Sequence, residues 1–569
     1  MIRMRKILKA YYLRQIVCCW VILTMVVVMP IRIALAAPPP VLPQGYELLG
    51  GGADAPDYGT PGAMYLRNIE NGTIVRWNGG FNIGATGTAA FEFITDGSSV
   101  LNRDETGNMS NILGTLNAPN GNVWIINPAG IVFGSGATIN VSQLVASSLE
   151  IDDADFIDGT PYTFTENQAF DGIVTNDSSN FTADRVYLIG KQVLNNGLVA
   201  ANGCVVMASG NTVTITETDG VVSVVSTVPD GWAAGDADYQ VRNDGGIDVA
   251  DDENGIARVV LAAGDIWSTA YINAYSDGDY DAAAVATIDI AAAGDVTVRD
   301  EVIAEAAGNR ETNDTIATIT VDAGGDVEVI ATEGKKASIK AEARDGITNT
   351  AEILICADDV TVDAQGGWED NYDIWHGSTA SIEAIAEIGD GHNQTNTADV
   401  QIGAGEGINV TAVSDFYIDQ HPYGSETSAS ITAKAENGDE NTASVLACAN
   451  DDVLVTSERD GIAMIKSEAG QGRGEGQLSQ ATTTIISHDG DVVVDSSLVG
   501  EASIESVVYG GTADTATTQI YATDVDVIGE GSSIQAIAPP GGLQKGDGFT
   551  FCATTDGKIA ETDGSAVLI

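Results

Sequence analysis

Between residues 256 and 538 the chain alternates apolar and polar positions with period two, in short runs separated by turn residues. Period-two alternation places successive side chains on opposite faces of a strand, so each run reads as a strand with one buried face. The most regular run is Ala337, Ile339, Ala341 and Ala343, interleaved with Ser338, Lys340 and Glu342. It returns as Ala380/Ile382/Ala384/Ala386, Ala429/Ile431/Ala433/Ala435, Ala463/Ile465/Ser467/Ala469, Ala502/Ile504/Ser506/Val508 and Ser532/Ile534/Ala536/Ala538. Two shorter runs precede it in each unit, such as Ala286 to Ile290 and Val296 to Val298. No apolar spacing at i, i+3, i+4 recurs, which disfavours a helical solenoid.

The second run follows a Gly-Asp step or a close variant. Its apolar anchors are Ile266, Val296, Val327, Val360, Ile408, Val453, Val492 and Val525. Their spacings are 30, 31, 33, 48, 45, 39 and 33 residues, with a mean of 37. Three short strands per unit, repeated in this way, predict an all-β fold: a right-handed parallel β-helix of the pectin-lyase-like type, about eight coils over residues 251–540. Strands of successive coils would lie about 4.8 Å apart. The Ala/Ser column implies a narrow part of the triangular section, where a larger side chain would overpack. Polar, acidic stretches follow the third strand of each unit, so length variation is expected there alone, along one edge of the rod. Such an edge is a candidate binding face, with plain solvated turns as the alternative.

The chain has 569 residues, with 81 acidic and 25 basic side chains and a net charge of −56. That balance excludes a nucleic-acid partner, which requires a basic footprint. Hydrophobic residues make up 44% of the chain, too many for a disordered polyanion. All of the early basic residues, Arg3, Arg5, Lys6, Lys9, Arg14 and Arg32, lie in the first 36 positions, and no acid does. An apolar run from Ile16 to Met29 follows the first five of them, and the small-residue site Ala34-Leu35-Ala36-Ala37 comes after Arg32. This is the pattern of a secretory signal over residues 1–36, cleaved beside Ala36 or Ala37. Pro30 and the shortness of the run argue against a membrane anchor.

A different signal lies upstream of the repeats. Asn71 to Trp77 reads NGTIVRW and is followed by FNIGATGTAAFEF, from Phe81 to Phe93. Next come SSVLNRD, Ser98 to Asp104, and SNILGTLNAPNGNVWIINPAGIVFGSGATINVSQLVASSLEI, Ser110 to Ile151. These elements, in this order, resemble the amino-terminal secretion domain of filamentous-haemagglutinin-type exoproteins, the two-partner secretion family. The resemblance covers about 80 residues, within a secretion domain placed at 37–250. It implies that the family uses this region to engage an outer-membrane β-barrel transporter (TpsB-type), and that the exported chain folds outside the cell or at its surface.

Carried over to this chain, the secretion motif comprises Asn127, Pro128, Ala129, Gly130, Ile131 and Phe133, with Asn102 and Arg103 of the Asn-Arg step. The family usually has Asn-Pro-Asn-Gly. Ala129 stands at the third position, and alanine does not tolerate a left-handed turn as asparagine does. The family's other short asparagine-proline motif has no clear copy. A purely structural role for the Asn-Pro turn is the competing reading.

The remaining chemistry is sparse. Asp277-Gly278-Asp279-Tyr280-Asp281 lacks the full oxygen set of a calcium loop, so no cofactor is expected beyond weak, diffuse calcium binding along the rod. His376, His392, His421 and His488 are widely separated, fall in loops and lack zinc spacing. Cys356 and Cys448 stand two coils apart, too far for a disulfide, and are expected to be free and inward-facing. No nucleophile elbow or nucleotide motif is present.

The expected function is therefore an adhesin or haemagglutinin-like surface protein, not an enzyme, with host or neighbour-cell glycans or proteins as partners. The alternatives are a β-helical polysaccharide-degrading enzyme, or the amino-terminal part of a larger contact-dependent toxin or haemolysin. The last residues, Ser565 to Ile569, read as a strand of an unfinished coil in 541–569.

Overall fold

A computed structural model describes residues 41–567. It leaves out 219–220, 236–237, 253, 278–282, 309–313, 370–374, 388–394, 415–423, 471–477, 499, 510–514, 530, 538–547, 554–558 and 563–565. The predicted signal, with Ala34, Ala36 and Ala37, lies outside the described residues, as do His392, His421 and residues 278–281 of the calcium candidate. Among the described residues no helix is long and apolar enough to cross a membrane.

The chain winds into a parallel β-helix with three faces, formed by sheets of 19, 14 and 11 strands among the described residues. One coil runs through Ala284–Ala292, Val296–Val298 and Glu301–Ala307, one strand in each sheet. Each strand pairs in parallel with its equivalents in the coils before and after.

The repeat read from the sequence is the register of the structure. Ile266 pairs with Val296, Val296 with Val327, and so on through Val360, Ile408, Val453 and Val492 to Val525. The column also extends towards the amino terminus, through Val241, Val193 and Val174 to Ile131. One ladder thus joins the upstream motif to the repeats. The Ala/Ile columns of the third strand align likewise, and their inward residues are buried, save Ala536 in the last of them, which is half-buried. Full burial of each such Val or Ile contributes about 1.5–3 kcal/mol.

The Gly-Asp step has a physical reason. The turn between the first and second strands would leave a backbone N–H unpaired, and in most coils an aspartate of the preceding coil accepts it. Asp265 Oδ1 accepts from the Asp295 N–H at 2.9 Å, Asp295 from Asp326 at 3.0 Å, and Asp326 from Asp359 at 3.2 Å. Asp452 does the same for Asp491, and Asp491 for Asp524. Inside the rod, asparagines stack by side-chain hydrogen bonds in the same manner: Asn176 to Asn195 at 2.8 Å and Asn195 to Asn243 at 2.7 Å. A second stack links Asn349, Asn396 and Asn441.

Three sequence expectations need correction. Length variation is not confined to the edge after the third strand. Insertions also occupy the corner between the second and third strands, at 366–378 and 414–427, where Gly367–Glu369 pairs antiparallel with Trp375–Gly377, and Trp375–Gly377 pairs with Gly424–Ser425. His376 consequently lies on a strand, not in a loop. Cys356 and Cys448 are free, but they face outwards: Cys356 is exposed and Cys448 half-buried. The buried phase of these strands is carried by Ile355 and Ala357, and by Ala447 and Ala449, which forces the intervening cysteine to the outer face.

Candidate functional site

The Asn-Pro-Ala-Gly segment is a turn between two strands, Thr115–Ile126 and Ile131–Phe133. Asn127 is fully buried and organises it. Its Oδ1 accepts the Ala129 N–H at 2.9 Å, while its Nδ2 donates to Asn108 O and to Ser110 Oγ, each at 2.9 Å. Ser110 in turn donates to Asp104 Oδ2 at 2.9 Å. Asp104 is buried as well, and it also accepts the Phe81 N–H at 2.8 Å and the Thr106 hydroxyl at 2.7 Å. A buried carboxylate is tolerable because these donors replace its lost water. Asp104 and Ser110 belong to the quoted motifs but were not singled out. Their signal is their place at the ends of the Asn-Arg-Asp and Ser-Asn-Ile steps.

The left-handed residue of the turn is Gly130, with φ +109°. A Cβ there would stand 2.9 Å from the Ile173 carbonyl oxygen. Ala129 is not among the residues with positive φ, so alanine fits the third position without strain. The expected penalty does not arise, because the conformation that favours asparagine falls one residue later. Ile131 and Phe133 are fully buried, and Phe133 meets the Phe181 ring edge-on at 5.9 Å.

Asn102 and Arg103 point to opposite faces of their strand. Asn102 is buried, accepts from Trp77 Nε1 at 2.9 Å and donates to Trp124 O at 3.0 Å. Arg103 reaches across the outer surface to Ile151 O at 2.6 Å, and its Nε donates to Asp153 Oδ1 at 2.9 Å. Asp153 opens the one helix among the described residues, Asp153–Asp158. Arg103 therefore pins this helix to the coil.

Around the helix lies an element missed in the sequence. Glu150–Ile151, Tyr162–Thr165, Thr212–Thr218 and Val221–Thr227 form a four-stranded antiparallel sheet outside the rod. It covers Trp124, whose ring stacks on Phe164 at 6.1 Å and meets Tyr162 and Phe156 edge-on at 4.8 and 5.3 Å. Beneath this cover Cys204 stands in register between Arg185 and Arg258, and burial pushes its thiol up to about 12. Lys191 anchors the neighbouring loop through Asp171 at 2.8 Å, Asp238 at 3.1 Å and Glu166 at 3.6 Å. No cluster of three or more His, Cys, Asp or Glu suited to a metal ion is found among the described residues.

The structure thus brings Asn127, Gly130, Ile131 and Phe133 together with Asp104 and Ser110 in one buried turn, and sets Asn102 and Arg103 on the strand just before it. Residues 67–350 match the TPS secretion domain family. The chain carries a TPS secretion domain. Its coils run without interruption into the rod. A Heme/hemopexin-binding protein of Haemophilus influenzae is 32% identical over 192 residues, covering 32% of this chain and 21% of that protein. The chain therefore matches about a fifth of that relative's length. Among solved structures, the HMW1 secretion domain from Haemophilus influenzae aligns with a TM-score of 0.42 and 18% identity, over 79% of this chain and 99% of that one.

Proposed function

We propose that the chain is an exoprotein delivered through a partner outer-membrane β-barrel transporter, and that outside the cell it works as a surface-interaction protein of the adhesin type. The match of residues 67–350 to the TPS secretion domain family carries the export half of this reading. The architecture suits such a route. A solenoid coil contacts only its neighbours, so folding can begin on the first coils to emerge and propagate along the rod. No disulfide has to form on the way among the described cysteines Cys204, Cys356 and Cys448, which are all free. Strong negative charge keeps the unfolded chain from aggregating as it threads.

The adhesive half rests on the rod's form: a stiff scaffold with polar insertions at two of its edges, the usual place of contact in repeat proteins. The test is expression beside its transporter in a Gram-negative host, with and without that transporter. The protein should reach the medium or cell surface only when the transporter is present; equal export without it overturns the reading. Beads coated with the purified protein should then bind target cells, and failure across a broad cell panel removes the adhesive half.

The relative's name favours a second reading, capture of haem or a haem carrier. Titration with haemin, and with haemin-loaded hemopexin, separates the two.

A further inference from the structure

In the amino-terminal half a groove of about 630 Å³ opens along the 19-stranded sheet, over the long strands Thr115–Ile126 and Thr138–Ser147. Its floor is a column set by register: Asn122 pairs with Gln143, and Gln143 with Arg185. An amide, an amide and a guanidinium therefore recur at about the 4.8 Å strand spacing. Asp184, Asn202 and Asp252 line the groove beside them. A second hollow of about 410 Å³, lined by Glu70 and Asn71 and by the exposed Ile94, meets the first at Gly97.

Several of these groups are already engaged. Arg185 bonds Glu217 at 2.5 Å, Asp184 Oδ2 accepts from Ser142 at 2.9 Å, and Asp252 Oδ1 accepts the Asn254 N–H at 2.8 Å. Among the described residues the side-chain amides of Gln143 and Asn202 have no hydrogen-bond partner, and both line the groove. A primary amide offers two donors and two acceptor lone pairs, and a carboxylate offers acceptors only. Amide and carboxylate side by side match adjacent hydroxyls, each of which donates once and can accept twice. The aspartates repel an anionic ligand, and the one guanidinium is neutralised by Glu217. The repeat along the rod suits a ligand that itself repeats, and Ile94 gives an apolar contact at one end.

We propose that this groove is a binding site for a linear neutral oligosaccharide, held along the rod axis by Gln143 and Asn202 with Asp184 and Asp252 as acceptors. The site lies within the secretion domain and is independent of the rod's edge insertions, so it adds a specific ligand class to the surface-interaction reading.

The test uses the full mature chain. Chitotriose, cellotriose, maltotriose and lacto-N-tetraose are presented as neutral probes, with sialyllactose as the anionic one, by saturation-transfer NMR and calorimetry. At least one neutral probe should bind, with sialyllactose silent. The double variant Gln143→Ala/Asn202→Ala should weaken binding about tenfold or more, as expected for lost hydrogen bonds to a ligand. Neither residue is in the core, so the variant should keep the parent's melting profile. If no neutral probe binds at millimolar concentration, or the folded double variant binds as tightly as the parent, the proposal is overturned. Cell adhesion that survives such a result would leave the surface-interaction reading standing; saccharide binding without adhesion would do the reverse.

Discussion

Asn127 Nδ2 lies 2.9 Å from Ser110 Oγ, 17 residues earlier, and through that hydroxyl the Asn-Pro turn is tied to the buried carboxylate of Asp104. All three side chains are shut away from solvent. Removing one takes a partner from its neighbours in a low-dielectric setting, where the loss exceeds that of an exposed bond. Asn127→Ala should lower stability by about 2–4 kcal/mol, since it orphans Asn108 O and the Ala129 N–H as well as Ser110. A guanidinium titration followed by Trp fluorescence, which reports Trp77 and Trp124 nearby, is the measurement. A shift below about 0.5 kcal/mol would show that the network is not structural and would move the asparagine's role towards recognition.

Ala129 and Gly130 give opposite expectations. Ala129→Asn restores the family's usual residue where φ is not positive, and should change stability by less than about 0.5 kcal/mol. Gly130→Ala forces a Cβ into a left-handed position 2.9 Å from the Ile173 carbonyl oxygen, and should cost about 2 kcal/mol or more. Export assays on the same pair separate the roles. Ala129→Asn improving secretion at unchanged stability would mark position 129 as a contact for the transporter.

The rod was legible because one physical constraint repeats. Every coil places Val or Ile at the same inner station, and most receive the next coil's N–H on an aspartate, so Ile266 through Val525 stand out at irregular but recognisable intervals. The outer sheet over Trp124 was not legible, since Val221 to Thr227 alternate just as a rod strand does. Their antiparallel pairing with Thr212–Thr218, in the sheet whose Phe164 packs on Trp124, shows that they cover the rod instead of joining it. The cysteines went wrong for a related reason. Cys356 follows the buried Ile355, and its apolar character suggested the inside, but the strand's phase had already assigned that face. Within the motif, residue identities were legible, whereas the partners of Asn127 were not, because Asp104 and Ser110 reach it from the preceding coil.

The asparagine stack should behave as a unit. Asn195 accepts from Asn176 and donates to Asn243 and to Gly246 O, so Asn195→Ala breaks three bonds and leaves two buried amides short of a partner. A loss of about 2–3 kcal/mol is expected. Asn195→Asp keeps an acceptor but places a charge inside the rod, and should be worse at neutral pH than at mildly acidic pH. Comparing the two melting temperatures across that range checks the order.

The aspartate column makes stability depend on pH in an unusual sense. Burial, together with the Asp295 and Asp359 carboxylates, pushes the Asp326 carboxyl up; burial with Asp452 and Asp524 does the same for Asp491. A carboxyl whose folded pKa is raised stabilises the fold while protonated, and that contribution is lost as pH rises through the folded value. These groups should therefore favour the fold fully below the ordinary carboxylate pKa, and that contribution fades as pH rises through their raised folded values. Asp326→Asn keeps an oxygen to accept the Asp359 N–H and removes the charge. Its melting temperature should exceed the parent's at pH 7, with the difference shrinking on acidification towards about pH 4. A difference independent of pH would show that neither burial nor the neighbouring carboxylates raise the Asp326 carboxyl.

Thiol chemistry tests the outward phase of the first-sheet strands. Cys356 is exposed and Cys448 half-buried, whereas Cys204 is sealed beneath the outer sheet with its thiol pushed up to about 12. Alkylation proceeds through the thiolate, so both access and acidity set the rate. Iodoacetamide at mildly alkaline pH should modify Cys356 first and Cys448 next, and leave Cys204 unmodified until denaturant is added. Mass spectrometry of the tryptic peptides over time reads this order. Rapid native labelling of Cys204 would mean that the outer sheet opens readily, and that Trp124 is covered only part of the time. Protection of Cys356 would place it against another surface, and the same experiment with cells bound would then map that contact.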